Sequence, residues 1–87
     1  MSPHRPFALR EIALAPGVTR PYRRREWRDA LVMIRTGQID LEDATGAVAH
    51  FGAGDILCLA AARLRALRNP GPQPAVVLAI SRRRSRR

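Results

Sequence analysis

The chain has 87 residues and a mass of 9.7 kDa, so it is one small domain near the lower limit for burying a core without disulfide or metal staples, and a two-domain enzyme is excluded. Its 16 basic residues against 7 acidic ones give a net charge of +9, and every cation is an arginine. The single cysteine, Cys58, has no partner for an internal disulfide, and the longest apolar run, Ile56 to Ala62, falls far short of the ~18 residues of a membrane span.

Short β-compatible pieces separated by turn signals run along the chain. Phe7 to Leu14 has strand length and ends at Pro16-Gly17. A polar, arginine-rich stretch containing Trp27 follows, then Ala30 to Arg35. After Thr36-Gly37, Ile39 and Leu41 alternate with Gln38, Asp40 and Glu42, the period-2 pattern of a strand with one wet face. Asp43 to Gly46 reads as a hairpin turn, Ala47 to Phe51 as the returning strand, and Gly52 to Asp55 as a second tight turn. Ile56 to Leu59 reads as an apolar strand buried on both faces, with Cys58 packed as a small hydrophobe. Leu64 and Leu67 punctuate the arginines that follow. Asn69 to Pro74 is a loop, because its prolines remove donors and fix φ. Ala75 to Ile80, AVVLAI, is the last strand.

The final seven residues, SRRRSRR, carry five positive charges. Residues 1–80 are read as the folded domain and residues 81–87 as a disordered arginine-rich tail. Such a tail contacts nucleic acid weakly and nonspecifically, through counterion release. Phe7, Tyr22, Trp27 and Phe51 are too scattered to form a stacking platform for single strands. Many short strands with glycine and proline turns, and no helical periodicity, predict an all-β fold of antiparallel strands, a sandwich or a barrel. SH3-like and OB barrels also fit this length.

Two spacings select among these barrels. Gly17 is followed after five residues by Arg23, then by Arg25, Ala30 and Gly37. Gly54 is followed after five residues by Ala60, then by Ala62, Arg65 and Asn69. In these positions the chain resembles the cupin family, whose motifs are G-x5-H-x-H-x3,4-E-x6-G and G-x5-P-x-G-x2-H-x3-N. The ends of each motif are kept and the interiors differ. The resemblance implies a small antiparallel jelly-roll, a double-stranded β-helix barrel. It also implies that the places of the family's metal ligands are held by Arg23, Arg25, Ala30 and Arg65. A guanidinium has no lone pair for a metal and alanine has no donor atom, so no metal and no cofactor are expected. His4 and His50 each stand alone and do not replace the missing ligands.

Catalysis finds little support in the chain. Ser2, Ser81 and Ser85 lie at the ends, and no glycine-rich loop opens a helix, which excludes a nucleophilic hydrolase. Glu26 and Asp29 are read as neutralising the arginines around them. Because ligand places in the family face the barrel mouth, Arg23, Arg25 and Arg65 are the candidate ligand-binding residues. Their planar forks suit a carboxylate or phosphate. Trp27 is either a core residue or the wall of that pocket. The expected function is a metal-free binding module of the cytoplasm, with no membrane contact. Two alternatives remain: a cofactor-independent isomerase or cyclase using Glu26 or Asp29 as its acid, and a nucleic-acid binder acting through the tail. Short sheets leave strand edges and apolar area poorly covered, so a homodimer is expected.

Overall fold

The computed structural model describes residues 7–28, 30–59 and 63–82. Eight strands and one helical turn follow in the order β1 (Phe7–Leu14), β2 (Thr19–Pro21), α1 (Arg24–Trp27), β3 (Ala30–Thr36), β4 (Gln38–Asp43), β5 (Val48–Gly52), β6 (Ile56–Leu57), β7 (Leu64–Arg68) and β8 (Ala75–Arg82). They form two antiparallel four-stranded sheets, β1-β8-β3-β6 and β2-β7-β4-β5. Every described pairing is antiparallel. The all-β expectation holds. Neither sheet closes on itself, so the described strands form a two-layer sandwich with open edges at β1, β6, β2 and β5.

The alternation of side chains explains how the layers join. Ile12 and Leu14 of β1, Val77 and Ala79 of β8, and Val32 and Ile34 of β3 line the inner face of the first sheet. Ile39 and Leu41 of β4 and Leu67 of β7 line that of the second. All belong to one apolar cluster with Trp27 and Leu59. Burial of this shared cluster is the main favourable term in a domain of this size.

The chain crosses between the sheets at Gly37, whose φ is +82°. A Cβ there would lie 2.8 Å from both Ala75 Cα and the Pro74 carbonyl oxygen, so only glycine fits the corner. Just before it, Ile34 faces Val77 and Thr36 faces Val76, which leaves Arg35 as an extra residue in a β-bulge that bends the strand toward the second sheet. Asn69 closes the other end. Fully buried, it donates through Nδ2 to the carbonyls of Leu14 (3.0 Å) and Gln73 (2.7 Å) and accepts from Gly71 N–H (2.9 Å). Its main chain pairs with Val18 (3.0 Å) and Gly17 (2.9 Å).

Four expectations change. Only Ile56 and Leu57 of the Ile56–Leu59 segment form a strand, because β6 is an edge paired to β3 through Val32↔Leu57 and Met33↔Ile56 alone. Ile56 and Cys58 are consequently exposed, and the Cys58 thiol is not packed as a core residue. The last strand passes the expected boundary at Ile80. As a central strand it continues to be paired from both sides, with Ser81 opposite Ala8 and Ala30 and Arg82 opposite Phe7. The arginine-rich stretch contains the helical turn α1, too short to have a period of its own. Residues 83–87 of the expected tail lie outside the described residues.

Candidate functional site

Charged residues come together where α1 meets the inner faces of both sheets. Arg10 shares its face of β1 with Ala8, Ile12 and Leu14, so its stem runs between the layers instead of into solvent. Arg20 lies opposite Leu67 in the β2–β7 register, on the inner face of the second sheet. Both guanidiniums reach the same helical turn. Arg20 Nη2 donates to Glu26 Oε2 at 2.8 Å, Arg10 donates to the Glu26 main-chain carbonyl, and the Arg10 guanidinium stands 5.6 Å from the Trp27 ring centroid.

The Trp27 ring is fully buried in the shared cluster. Its neighbourhood explains the space it finds: Ala8, Ser81 and Ala30 form one row across the inner face of the first sheet, and Ala79 stands beside Arg10 in the next. Small side chains in this end of the layer leave room for the indole. Tyr22 packs against the same apolar cluster, its hydroxyl donating to the Leu59 carbonyl at 3.1 Å.

Counting charges among the described residues, two guanidiniums come to α1 and one carboxylate, Glu26, meets them. Counting donors gives the same sign: among the described residues, Arg20 Nε and Trp27 Nε1 are buried without an acceptor. A buried N–H without a partner costs roughly 1–3 kcal/mol, so the cluster is short of acceptor oxygens. Chemically it is suited to an anion.

Arg23, Arg25 and Arg65, the expected ligand-binding residues, lie outside this cluster. Arg23 and Arg25 are exposed, before and within α1. Arg65 is exposed on β7, where Leu64 faces Asp43 and Ala66 faces Glu42, so that Arg65 is the extra residue of a bulge. Its backbone carbonyl accepts from Tyr22 N–H at 2.8 Å, on the β2 flank. Its guanidinium turns to the other flank, donating to the Ala44 carbonyl at 3.1 Å and lying 3.5 Å from Glu42. Ala30 is buried on β3; Asp29, Ala60 and Ala62 lie outside the described residues. Arg10 and Arg20, which form the cluster, were not among the expected residues. Their signal was parity, since Arg10 falls on the same alternate positions as Ile12 and Leu14.

Two further features border the second sheet. An open apolar hollow of about 490 Å³ is lined by Leu41, Ala49, Phe51 and Leu64, with Asp43 and Arg63 at its rim. On the outer face, Asp40 is flanked in register by Arg68 and His50, and His50 Nδ1 lies 2.7 Å from Asp40 Oδ1. Among the described residues no three His, Cys, Asp or Glu side chains gather at metal-binding distance, and no helix is long and apolar enough to cross a membrane. No family model matches the chain, and no curated protein matches its sequence.

Proposed function

We propose that the chain is a cupin-like binding module that takes a small anion, a carboxylate or phosphate, at the mouth between its sheets. Arg10 and Arg20 are the anion's partners and Trp27 is the surface beneath them. The observation that carries this reading is the shortage of acceptors among the described residues: the one carboxylate bonds Arg20 while Arg10 takes the Glu26 main-chain carbonyl, and Arg20 Nε and Trp27 Nε1 are buried without a partner. A bound oxyanion supplies the missing acceptors and neutralises the surplus cation. Arginine's fork favours two parallel bonds to such a ligand.

The jelly-roll relationship is supported by two residues that end the family-like motifs. Gly37 makes the corner between sheets, and Asn69 ties the β1 end to the loop before β8. Arg23 and Arg25 then belong to an exposed rim around the mouth. Glu26, one of the two acids of the isomerase alternative beside Asp29, is engaged by Arg20, which favours binding over proton transfer.

Thermal shift against citrate, acetate and inorganic phosphate tests the reading. The parent protein is stabilised by at least one of these anions. Arg20→Gln removes one charged hydrogen-bond donor set, worth ~1.5–3 kcal/mol, and weakens the affinity about tenfold or more. Arg65→Leu leaves it unchanged. If the effect of the two variants is reversed, the anion sits with Arg23, Arg25 and Arg65; if no anion stabilises the parent, the binding function is wrong.

A further inference from the structure

Both faces of the first sheet are apolar, although the core covers only one. β8 shows this most simply: Ala75, Val77 and Ala79 face inward, while Val76, Leu78 and Ile80 face out. Alternate positions of its neighbours extend the outer face. Leu9, Ile80 and Leu31 form one row across β1, β8 and β3, and Leu78, Met33 and Ile56 form the next across β8, β3 and β6. Five of the seven large hydrophobic residues exposed among the described residues, Phe7, Leu9, Leu31, Ile56 and Ile80, lie here, each 39–66% exposed. Strands apolar on both sides are the mark of a sheet covered on both sides.

Size and charge identify the cover. Strands of eight, eight, seven and two residues, about 4.8 Å apart at about 3.4 Å per residue, give a footprint of roughly 400 Å². Side-chain relief raises the accessible area toward the ~800 Å² that each partner contributes to a standard interface. A contiguous apolar patch of several hundred Å² is the size that marks an interaction surface. Glu11 and Arg35 pair with each other across β8 at 2.9 Å, and Arg82 holds the position opposite Phe7 at the rim of the face. Inside that rim the face is neutral, and on a chain of net charge +9 its middle offers nothing to an acidic partner or to phosphates. It matches a surface equally neutral and apolar, which is its own copy about a two-fold axis.

We infer that the chain is a homodimer joined through the outer face of the β1-β8-β3-β6 sheet, the two sheets stacked back to back and both anion mouths pointing away from the contact. Sedimentation or light scattering reads the mass directly. The parent has about 19 kDa, twice the 9.7 kDa of the chain. Leu31→Glu and Ile56→Glu, each at a half-exposed or more exposed site, place two charges in a symmetric contact and weaken association at least ~100-fold. Circular dichroism and Trp27 fluorescence show that these variants keep their fold. The Ile56 variant separates this contact from strand pairing along the β1 edge, because β6 is the opposite edge of the sheet. A parent of 9.7 kDa across micromolar concentrations overturns the inference. So does a dimer that survives both substitutions, which moves the contact to an edge. Anion binding by the Leu31→Glu monomer keeps this test independent of the ligand site.

Discussion

Replacing Asn69 tests how this fold holds its two ends together. The side chain is fully buried and all three of its hydrogen bonds go to main-chain groups: two carbonyls, Leu14 and Gln73, and one N–H, Gly71. Asn69→Ala removes the three together, while the main-chain bonds to Val18 and Gly17 remain. At ~0.5–1.5 kcal/mol each, with an additional cost for the buried Leu14 carbonyl left without this donor, the loss is about 3–4 kcal/mol. An 87-residue domain has a total stability of roughly 4–13 kcal/mol, so the variant stands near its folding limit. Tm falls by about 12 °C or more, at ~4–8 °C per kcal/mol in a domain of this size. Circular dichroism melts and urea titrations give the number. Asn69→Asp sharpens the test, because its carboxylate faces two carbonyl oxygens with no donor to offer. Burial and those oxygens raise the folded-state pKa of the introduced carboxyl, so stability is lower at neutral pH and recovers as pH falls through that raised value. A loss below ~1 kcal/mol for Asn69→Ala, or an Asn69→Asp variant as stable as Asn69→Ala at neutral pH, refutes the staple.

The corner makes a second prediction: Gly37→Ala, forced to φ +82° with its Cβ against Ala75 and Pro74, loses at least ~2 kcal/mol, and Gly46→Ala, at φ +91° in open space, loses only the smaller cost of backbone strain. Equal losses in denaturant titrations exclude the steric argument. In the β4–β5 turn, the Thr45 hydroxyl and N–H and the Ala47 N–H donate to Asp43 and lower its pKa. Its contribution to stability is therefore present above the unfolded carboxyl pKa and is lost as pH falls through the lower, folded value. Carboxyl titration by NMR shows this midpoint, and Thr45→Val moves it upward; an unchanged midpoint removes the hydroxyl as the cause. The Cys58 thiol, exposed beside β6, reacts with a thiol reagent in the native protein at the rate of the unfolded chain. Protection by folding contradicts the exposed placement.

Pattern and sterics made most of the strands legible, and the site is where they ran out. Ile39 and Leu41 alternate with polar residues because β4 has one wet face, and the structure pairs it as expected with a returning strand. Asn69 to Pro74 reads as a loop because proline fixes φ, and it is one. β6 misleads for the opposite reason: Ile56-Leu-Cys-Leu59 has the composition of a buried strand, but composition does not say that the sheet ends there. One helical turn at Arg24–Trp27 carries no period to detect. The arginines differ in what they demand. Arg10 needs only the parity of β1, whereas the direction of Arg65 depends on a bulge against β4 whose register shift is not encoded in either strand alone.

The location of the proposed site follows from how the core is filled. Toward Leu14 the inner face of the first sheet carries Ile12, Val77 and Ile34, large enough to meet the second sheet directly. Toward Phe7 it carries Ala8, Ser81 and Ala30, too small to span the roughly 10 Å between packed layers. Something must enter that end, and α1 delivers Trp27 from the connection between β2 and β3. Once the indole fills the gap, its face is the surface on which the Arg10 stem and guanidinium lie, and the preceding Glu26 receives Arg20 from the other sheet. The residue that completes the packing thus also gathers the two cations. The proposed ligand site and the core are one construction, and a substitution such as Trp27→Leu therefore lowers stability and anion affinity together, where Arg20→Gln lowers affinity first.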